Sequence, residues 1–295
     1  MGLLVRAVGA SCLVQDAGRP GRAALGVAPS GVADRASSGL ANRLLGNAPG
    51  AGVLEVLLGG LEVEATADLW VCVTGAPVPI RADGRARAIG DVVRLRRGER
   101  LALGVPARGL RAYLAVGGGV AAEEVLGSVA HDTLSGLGPP PVRVGDLLPV
   151  GRGGSGALGT PLAGAVAEAT VPREVLVLRA VPGPHTDRLV DPGALHRTTW
   201  VVSSDSDRVG VRLVPSRGDE PGALPAMRHR EGVGELPSEG VTRGTVQVPP
   251  SGLPVVLGAD HPVTGGYPVV GVVLDADTDA LAQARPGTAV RFVRA

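Results

Sequence analysis

The sequence has no lysine: all 29 of its basic residues are arginine, set against 28 acidic residues in a chain of 295. A chain without lysine has no lysine side chain that could form a Schiff base with a carbonyl substrate. It also cannot supply the lysine of a Gly-x-x-x-x-Gly-Lys phosphate loop or the amine to which biotin is attached. These three kinds of chemistry are therefore excluded for this chain.

Cysteines and aromatic residues are also scarce. Cys12 and Cys72 are the only cysteines, and they form neither a Cys-x-x-Cys motif nor a zinc-binding spacing. Met1–Ala10 does not resemble a signal peptide, and no apolar run is long enough to cross a bilayer. The sequence therefore predicts a reduced, cytoplasmic protein. A net charge of +1, with two Trp, two Tyr and one Phe, argues against a nucleic-acid surface. The five histidines show no metal-binding spacing, so no metal site is predicted.

Glycine and proline are abundant, at 46 and 25 residues, and they separate many short apolar segments. This pattern predicts a mainly β protein with barrel-like lobes and a few short helices. One helix is predicted between a capping Asp34 and Gly46, because apolar residues recur there at helical spacing. Glu55 lies within an apolar strand, and it points either to the outward face of the strand or into a site.

A Gly-, Ala- and Ser-rich stretch begins at residue 151 and carries almost no charge. Such composition is typical of a linker. The predicted organisation is an N-terminal β-rich lobe at 1–150, a linker at 151–172 and a C-terminal β lobe at 173–295.

Polar residues are concentrated in the connection Asp260–Tyr267, which follows two predicted strands. Gln247 lies on the first of these strands and is a candidate substrate ligand. Asp260 is a candidate to orient or deprotonate an amide-like nitrogen, while Tyr267 and the N–H groups of Thr264, Gly265 and Gly266 are candidates to hold a developing oxyanion. In the alternative interpretation, Asp260 caps the bend and Tyr267 belongs to the core.

Two further segments are candidate substrate-binding loops. Ser204, Asp205, Asp207 and Arg208 follow a predicted strand. They could bind a polar substrate or a metal with oxygen ligands, or form an Asx-rich turn in which Arg208 pairs locally. Asp16 and Arg19 lie between glycines near the start of the chain. They predict either a loop that binds a carboxylate or phosphate, or a turn held by an Asp–Arg pair.

The order and spacing of these blocks resemble the 5-oxoprolinase C-subunit family, also described as Kip-antagonist-like, allophanate hydrolase subunit 2-like or biotin-dependent carboxyltransferase-like. The resemblance extends over nearly the whole chain. The segments that carry it are Gln15–Gly21, Pro29–Gly31, Asp34, Asn42, Gly46–Asn47, Leu54–Glu55, Arg111–Gly119, Val125–Ser128, Pro182–Pro184, Ser204–Gly210 and Glu235–Pro268. Relatives often carry Arg-Gln in place of His261-Pro262 and Thr in place of Val263, so family contacts are not expected from these three positions.

The resemblance implies two β-rich lobes with a cyclophilin-like barrel component. It implies one chain of an ATP-dependent enzyme that hydrolyses 5-oxo-L-proline to L-glutamate together with B and A subunits, with ATP bound on this chain or on a partner. A close variant is carboxyl transfer to a urea-like nitrogen from biotin carried by another protein. A third hypothesis is a Kip-type regulatory antagonist without catalysis.

Overall fold

The structure is a computed structural model. It describes residues 1–151, 171, 174–216 and 227–295. The chain divides into two compact units. Unit 1 contains Met1–Pro20 and Ser30–Val171, and unit 2 contains Gly21–Pro29 and Pro172–Ala295. The linker predicted at 151–172 lies outside the described residues apart from positions 151 and 171, and the predicted lobe boundaries stay a prediction.

Unit 1 is built from two antiparallel sheets. Their strand orders are β11-β1-β4-β9-β6-β7 and β2-β3-β10-β5-β8. The strands are β1 Gly2–Ala7, β2 Ser11–Gln15, β3 Val53–Leu57, β4 Glu62–Ala65, β5 Leu69–Gly75, β6 Ile80–Ala82, β7 Arg85–Arg87, β8 Val92–Leu95, β9 Arg100–Leu103, β10 Arg111–Val116 and β11 Leu147–Pro149.

The central strand β10 is buried along its whole length. Because side chains alternate across a strand, its two faces contact different partners. Leu114 packs in the core cluster to which both sheets contribute. Tyr113 packs in a second cluster together with residues of helix α1, Arg35–Leu44. The helix begins as predicted: the Asp34 carboxylate accepts a hydrogen bond from the Ser37 backbone N–H at 2.9 Å.

Glu55 is buried and faces the interior of unit 1. Its Oε2 accepts hydrogen bonds from the Ala33 N–H at 2.8 Å and the Tyr113 hydroxyl at 3.0 Å. Arg111 Nε lies 3.4 Å from Oε1. Burial raises the pKa of Tyr113 well above its ordinary value, and the nearby Glu55 charge adds to the effect. This network joins the segment before α1 to β10.

Unit 2 contains a closed seven-stranded barrel with the order β12-β19-β16-β17-β14-β13-β20. A parallel pairing of β12 with β20 closes it. The barrel strands are β12 Val175–Pro182, β13 Trp200–Val202, β14 Gly210–Pro215, β16 Thr245–Gln247, β17 Val255–Leu257, β19 Val269–Val273 and β20 Ala289–Arg294. Side chains of β12 alternate between exposed and buried, and the buried Leu178, Trp200 and Phe292 lie in the barrel core.

Unit 2 also contains a two-stranded ribbon, two α-helices and the 3-10 turns Ala23–Leu25 and Thr186–Arg188. A two-stranded ribbon pairs β15 Glu239–Gly240 with β18 Thr264–Gly265. The helices are α2 Ala194–Arg197 and α3 Asp275–Leu281. Within the described residues, no helix is long and apolar enough to cross a membrane. The predicted mainly β fold with a few short helices is confirmed.

We expect Leu178→Ala to lower the free energy of unfolding by about 2–5 kcal/mol, because a fully buried leucine leaves a cavity when it is truncated. Urea unfolding followed through Trp200 fluorescence, in a Trp70→Phe background, measures the loss. Val177→Ala is the matched control: Val177 is the preceding residue and is 50% exposed, so the change should stay below about 0.5 kcal/mol. Equal losses in the two variants would contradict the inward placement of Leu178.

Candidate functional site

The ribbon of β15 and β18 brings together two parts of the polar stretch that the sequence singles out. Glu239 lies opposite Gly265, and Gly240 lies opposite Thr264. Beyond the ribbon, the Val241 N–H donates to the Val263 carbonyl at 3.0 Å. A carboxylate from one segment therefore stands beside the glycine-containing backbone of the other.

Gln247 ends β16 at a point where the pairing with β19 is irregular. The register shifts between Val246 and Gln247, so that Gln247 lies opposite Val269. Its side chain is 5% exposed, and its Nε2 lies 3.5 Å from the Tyr267 carbonyl, which can accept a hydrogen bond. A Cβ atom built on Gly265 would lie only 2.5 Å from Nε2. The absence of a side chain at Gly265 therefore gives the Gln247 amide its space.

His185 lies at the same end of β19. Its backbone N–H donates to the Val269 carbonyl at 3.0 Å, and the Val269 N–H donates back to His185 Nδ1 at 3.2 Å. An Nδ1 that accepts a hydrogen bond places the proton of the neutral ring on Nε2. Glu239 Oε1 lies 3.4 Å from Nδ1 and pairs with the ring when the ring is charged.

We call His185, Glu239, Gln247, Gly265 and Tyr267 the ribbon cluster. An amide side chain can both donate and accept hydrogen bonds, and an imidazole next to a carboxylate can transfer a proton. This combination suits an amide ligand whose carbonyl and nitrogen must be held while a proton moves. Tyr267 contributes its carbonyl to Gln247, and its side chain is 47% exposed. The alternative interpretation that placed Tyr267 in the core is therefore wrong.

Asp260 is held in a buried ion pair with Arg208. Arg208 Nε and Nη2 donate to the two carboxylate oxygens at 2.8 and 3.0 Å, and the Asp260 side chain is fully shielded from solvent. The Asp260 backbone N–H also donates to the Arg208 carbonyl at 3.0 Å. The segment that leads to β18 is thus fixed by both side chains and backbone. This geometry supports a positioning role for Asp260, and its catalytic assignment stays a prediction.

The residues next to this pair have local roles. Asp207 Oδ1 accepts from the N–H groups of Val209 and Gly210 at 2.8 and 3.0 Å, which is the turn geometry of the alternative interpretation. Ser204 and Asp205 are exposed, whereas Arg208 turns inward to Asp260. His261 is buried, and its Nδ1 lies 2.7 Å from the Pro262 carbonyl. The structure therefore separates Arg208 from the other predicted ligands in its loop.

Thr264 and Gly266 flank Gly265 in the same connection. Thr264 is exposed on β18. Around Gly266, a built Cβ would meet the Leu236 carbonyl at 3.4 Å and Ser238 Oγ at 3.8 Å, which is ordinary contact. The fold thus brings together Gln247, Thr264, Gly265, Gly266 and Tyr267 of the predicted site. Their role in substrate binding stays a prediction.

Asp16 and Arg19 belong to unit 1, and each bonds to the segment 125–130. Asp16 accepts from Ser128 Oγ at 2.6 Å and from the Val129 N–H at 2.9 Å. Arg19 donates to the carbonyls of Val125 and Ala130. The predicted Asp–Arg pair is not formed, because both side chains fasten the same loop instead.

Arg19 is 2% exposed, and within the described residues its Nη1 has no hydrogen-bond partner. The same holds for Oε1 of the buried Gln15, whose Nε2 donates to the His131 carbonyl at 2.7 Å. The ligand role predicted for Asp16 and Arg19 stays a prediction.

The two thiols are unsuited to nucleophilic chemistry. Burial raises the pKa of Cys12 to about 12, with a further contribution from Glu55, and burial raises the pKa of Cys72 to about 12, with a contribution from Asp91. Both thiols are thus protonated at neutral pH, and the thiolate is the reactive form. Across the described residues, no cluster of three or more His, Cys, Asp or Glu side chains could hold a metal ion.

Residues 25–294 match the sequence profile of the carboxyltransferase domain, subdomains A and B. The chain belongs to this family. It is 36% identical over 289 residues to the C subunit of 5-oxoprolinase from Escherichia coli (strain K12), an alignment that covers 95% of this chain and 87% of the relative. The resemblance seen in the sequence motifs is therefore confirmed.

Solved structures of two other proteins share the fold. TTHA0988 superposes with a TM-score of 0.84 at 34% identity over 99% of this chain and 56% of TTHA0988. Urea amidolyase of K. lactis superposes with a TM-score of 0.84 at 25% identity over 99% of this chain and 18% of the relative. The chain thus spans about half the length of the first structure and a smaller part of the second.

The sequence did not single out His185 or Glu239. Each is an ordinary loop residue in its local sequence, and they meet only because β19 returns beside the segment after β12. Arg208 and Asp260 were both candidates, yet their pairing was not foreseen, since they lie 52 residues apart.

We expect Asp260→Ala to lower the free energy of unfolding by about 3–5 kcal/mol, because it leaves the buried Arg208 guanidinium without its counter-charge. Replacing both residues, Arg208→Met with Asp260→Leu, should cost less than Asp260→Ala alone, since an apolar pair leaves no buried charge.

Urea unfolding of Asp260→Leu, Arg208→Met and the double variant forms a double-mutant cycle. The ion pair predicts that the loss in the double variant is well below the sum of the single losses. Additive losses would show that the two side chains do not stabilise each other.

Proposed function

We propose that this chain is the C subunit of an ATP-dependent 5-oxoprolinase, which hydrolyses 5-oxo-L-proline to L-glutamate together with B and A subunits in the cytoplasm. The observation that carries the proposal is the Escherichia coli relative of that name, which aligns over 87% of its length at 36% identity. The ribbon cluster supplies a site of suitable chemistry, because the substrate is a cyclic amide.

In this proposal the ribbon cluster holds the lactam. The Gln247 amide faces the ring amide, with its Nε2 donating to the lactam carbonyl and its Oε1 accepting from the ring N–H. Gly265 leaves the space that Gln247 needs. The N–H groups of Thr264, Gly265 and Gly266 and the exposed phenol of Tyr267 are the proposed donors to the carbonyl oxygen as negative charge develops there.

Opening the ring breaks the bond between the carbonyl carbon and the nitrogen. The oxygen of water adds to the carbon, and a proton must reach the departing nitrogen. His185 is the proposed proton carrier: the Val269 N–H orients the neutral ring by donating to Nδ1, and Glu239 pairs with the ring when it is charged. In this proposal the Arg208–Asp260 pair has a positioning role, because it fixes the backbone that leads into β18.

We assign ATP to a partner protein. The sequence has no lysine and so no lysine-containing phosphate loop. The B-like and A-like subunits are the proposed partners, and the reaction needs their contribution as well as the amide site on this chain.

A second candidate is carboxyl transfer to a urea-like nitrogen. The carboxyltransferase profile and the TM-score of 0.84 with K. lactis urea amidolyase favour it. Biotin would then be carried by another protein, since this chain has no lysine to which it could be attached. The same Gln247 amide would face the substrate amide in this reaction.

Reconstitution separates these functions. The chain is mixed with candidate B and A subunits, and ADP release is measured with and without 5-oxoproline. The proposal predicts 5-oxoproline-dependent ADP release and glutamate formation that disappear when this chain is omitted.

Transfer from a carboxylated biotin carrier to a urea-like amide, without 5-oxoproline turnover, would establish the second candidate instead. Tight binding to the B subunit with no turnover in any combination would favour the Kip-type regulatory role.

We expect Gly265→Ala to reduce the activity of the complex by about tenfold or more, the effect of losing one well-placed hydrogen bond. A Cβ at this position would displace the Gln247 amide, whose Nε2 it would approach to 2.5 Å. Because the displaced group is the end of a flexible side chain, the unfolding midpoint should change little.

Gly240→Ala is the matched control. Gly240 lies on the partner strand of the same ribbon, directly opposite Thr264, and a Cβ there would meet nothing within 4 Å. Wild-type turnover in Gly265→Ala, or an equal loss in Gly240→Ala, would remove Gln247 from the proposed site.

A further inference from the structure

A pocket of about 420 Å³ opens between α2 and β20 in unit 2. We call it the α2–β20 pocket. Its lining residues are Gly193, His196, Arg197, Phe292, Val293 and Arg294. No residue of the ribbon cluster is among them. The volume falls within the range of sites that bind small molecules, about 300–1,000 Å³.

The pocket carries an uncompensated positive charge. Arg197 is paired with Asp191, so its charge is balanced. Arg294 forms no ion pair with any residue in the described parts of the chain, and it lies at the exposed end of β20. Val293, which is 40% exposed, supplies apolar surface next to this guanidinium. A ligand with an anionic group and an apolar body would complement both features.

His196 adds a polar requirement. Its Nδ1 is buried and has no hydrogen-bond partner among residues 1–151, 171, 174–216 and 227–295. Leaving a buried ring nitrogen unpaired is unfavourable, and such groups in folded proteins usually have a partner. His196 lines the pocket, so a rotation of its ring would bring Nδ1 to the pocket surface, where a polar atom of a bound molecule can supply that partner.

We propose that the α2–β20 pocket binds a small organic monoanion with an apolar body and a second polar group. The anionic group pairs with Arg294, the apolar body lies against Val293, and the second polar group hydrogen-bonds His196 Nδ1. This pocket is separate from the ribbon cluster, and the proposal for it does not depend on the proposed 5-oxoprolinase function.

Calorimetric titration of the full chain with benzoate tests the charge requirement, with benzamide as the uncharged analogue of similar shape. Saturable binding of benzoate and at least about tenfold weaker binding of benzamide are expected, because the anion forms a charge-assisted hydrogen bond. Arg294→Gln should weaken benzoate binding by about tenfold. Arg291→Gln is the matched control, since Arg291 is an exposed arginine on the same strand that does not line the pocket.

The absence of saturable benzoate binding would overturn the proposal. It would also be overturned if benzamide bound as well as benzoate, or if Arg291→Gln and Arg294→Gln weakened binding equally, since general attraction to arginine would then explain the result. Circular dichroism and the unfolding midpoint confirm that each variant is folded.

A second titration tests His196. We expect 3- or 4-hydroxybenzoate to bind more tightly than benzoate, because the hydroxyl can reach Nδ1. His196→Phe, which keeps a ring of similar size, should abolish that preference and leave benzoate binding in place. If neither hydroxybenzoate is preferred, or if the preference survives in His196→Phe, the assignment of His196 is wrong.

Discussion

The buried ion pair between Arg208 and Asp260 is the constraint on which the candidate site depends. Two parallel hydrogen bonds join the side chains, and a third joins the backbones. An isolated buried charge is expensive, so this bidentate geometry favours one arrangement of the segment 258–263. That segment leads directly into β18, so the pair determines where Gly265 meets Gln247. The position of the Gln247 amide then follows from the missing side chain at Gly265.

Unit 1 uses buried polar groups in the same way. Glu55 accepts hydrogen bonds from Tyr113 and from the Ala33 backbone, and the Tyr113 hydroxyl also accepts one from the Asp34 N–H at 2.8 Å. The sequence has few aromatic side chains, and its core is mainly Val, Leu and Ala. Side chains of these three types differ little in shape, so they do not by themselves select one packing arrangement over another. The buried hydrogen-bond networks supply that specificity at the start of α1 and at the start of the ribbon.

Local sequence was sufficient for the features that depend on neighbouring residues. The Asp34 cap of α1 could be recognised without the fold, because the capping residue and the apolar spacing that follows it are both local. The start of α3 at Asp275 is likewise favoured by local sequence, because acidic residues occupy its first turn.

Features that depend on distant residues could not be recognised in this way. The sequence leaves open whether Glu55 faces outward or into a site, because its partner Tyr113 is 58 positions away. His185 and Glu239 carry no local motif, and the two-residue strands of the ribbon are too short to show a period. Asp260 was correctly placed among polar groups. Its pairing with Arg208, however, depends on the packed barrel, because a buried carboxylate must pair with a group that the fold brings next to it.

In the proposed function, a chain without lysine acts through positioned amides, imidazole and backbone N–H groups, since it has no lysine amine to serve as a nucleophile. The ribbon cluster offers this set at one end of the barrel. Hydrogen–deuterium exchange of the assembled complex, with and without 5-oxoproline, tests directly whether substrate binds there. The account predicts slower exchange at residues 239–240 and 264–269 when substrate is present. Unchanged exchange in both segments, with protection confined to other parts of this chain or to its partners, would contradict it.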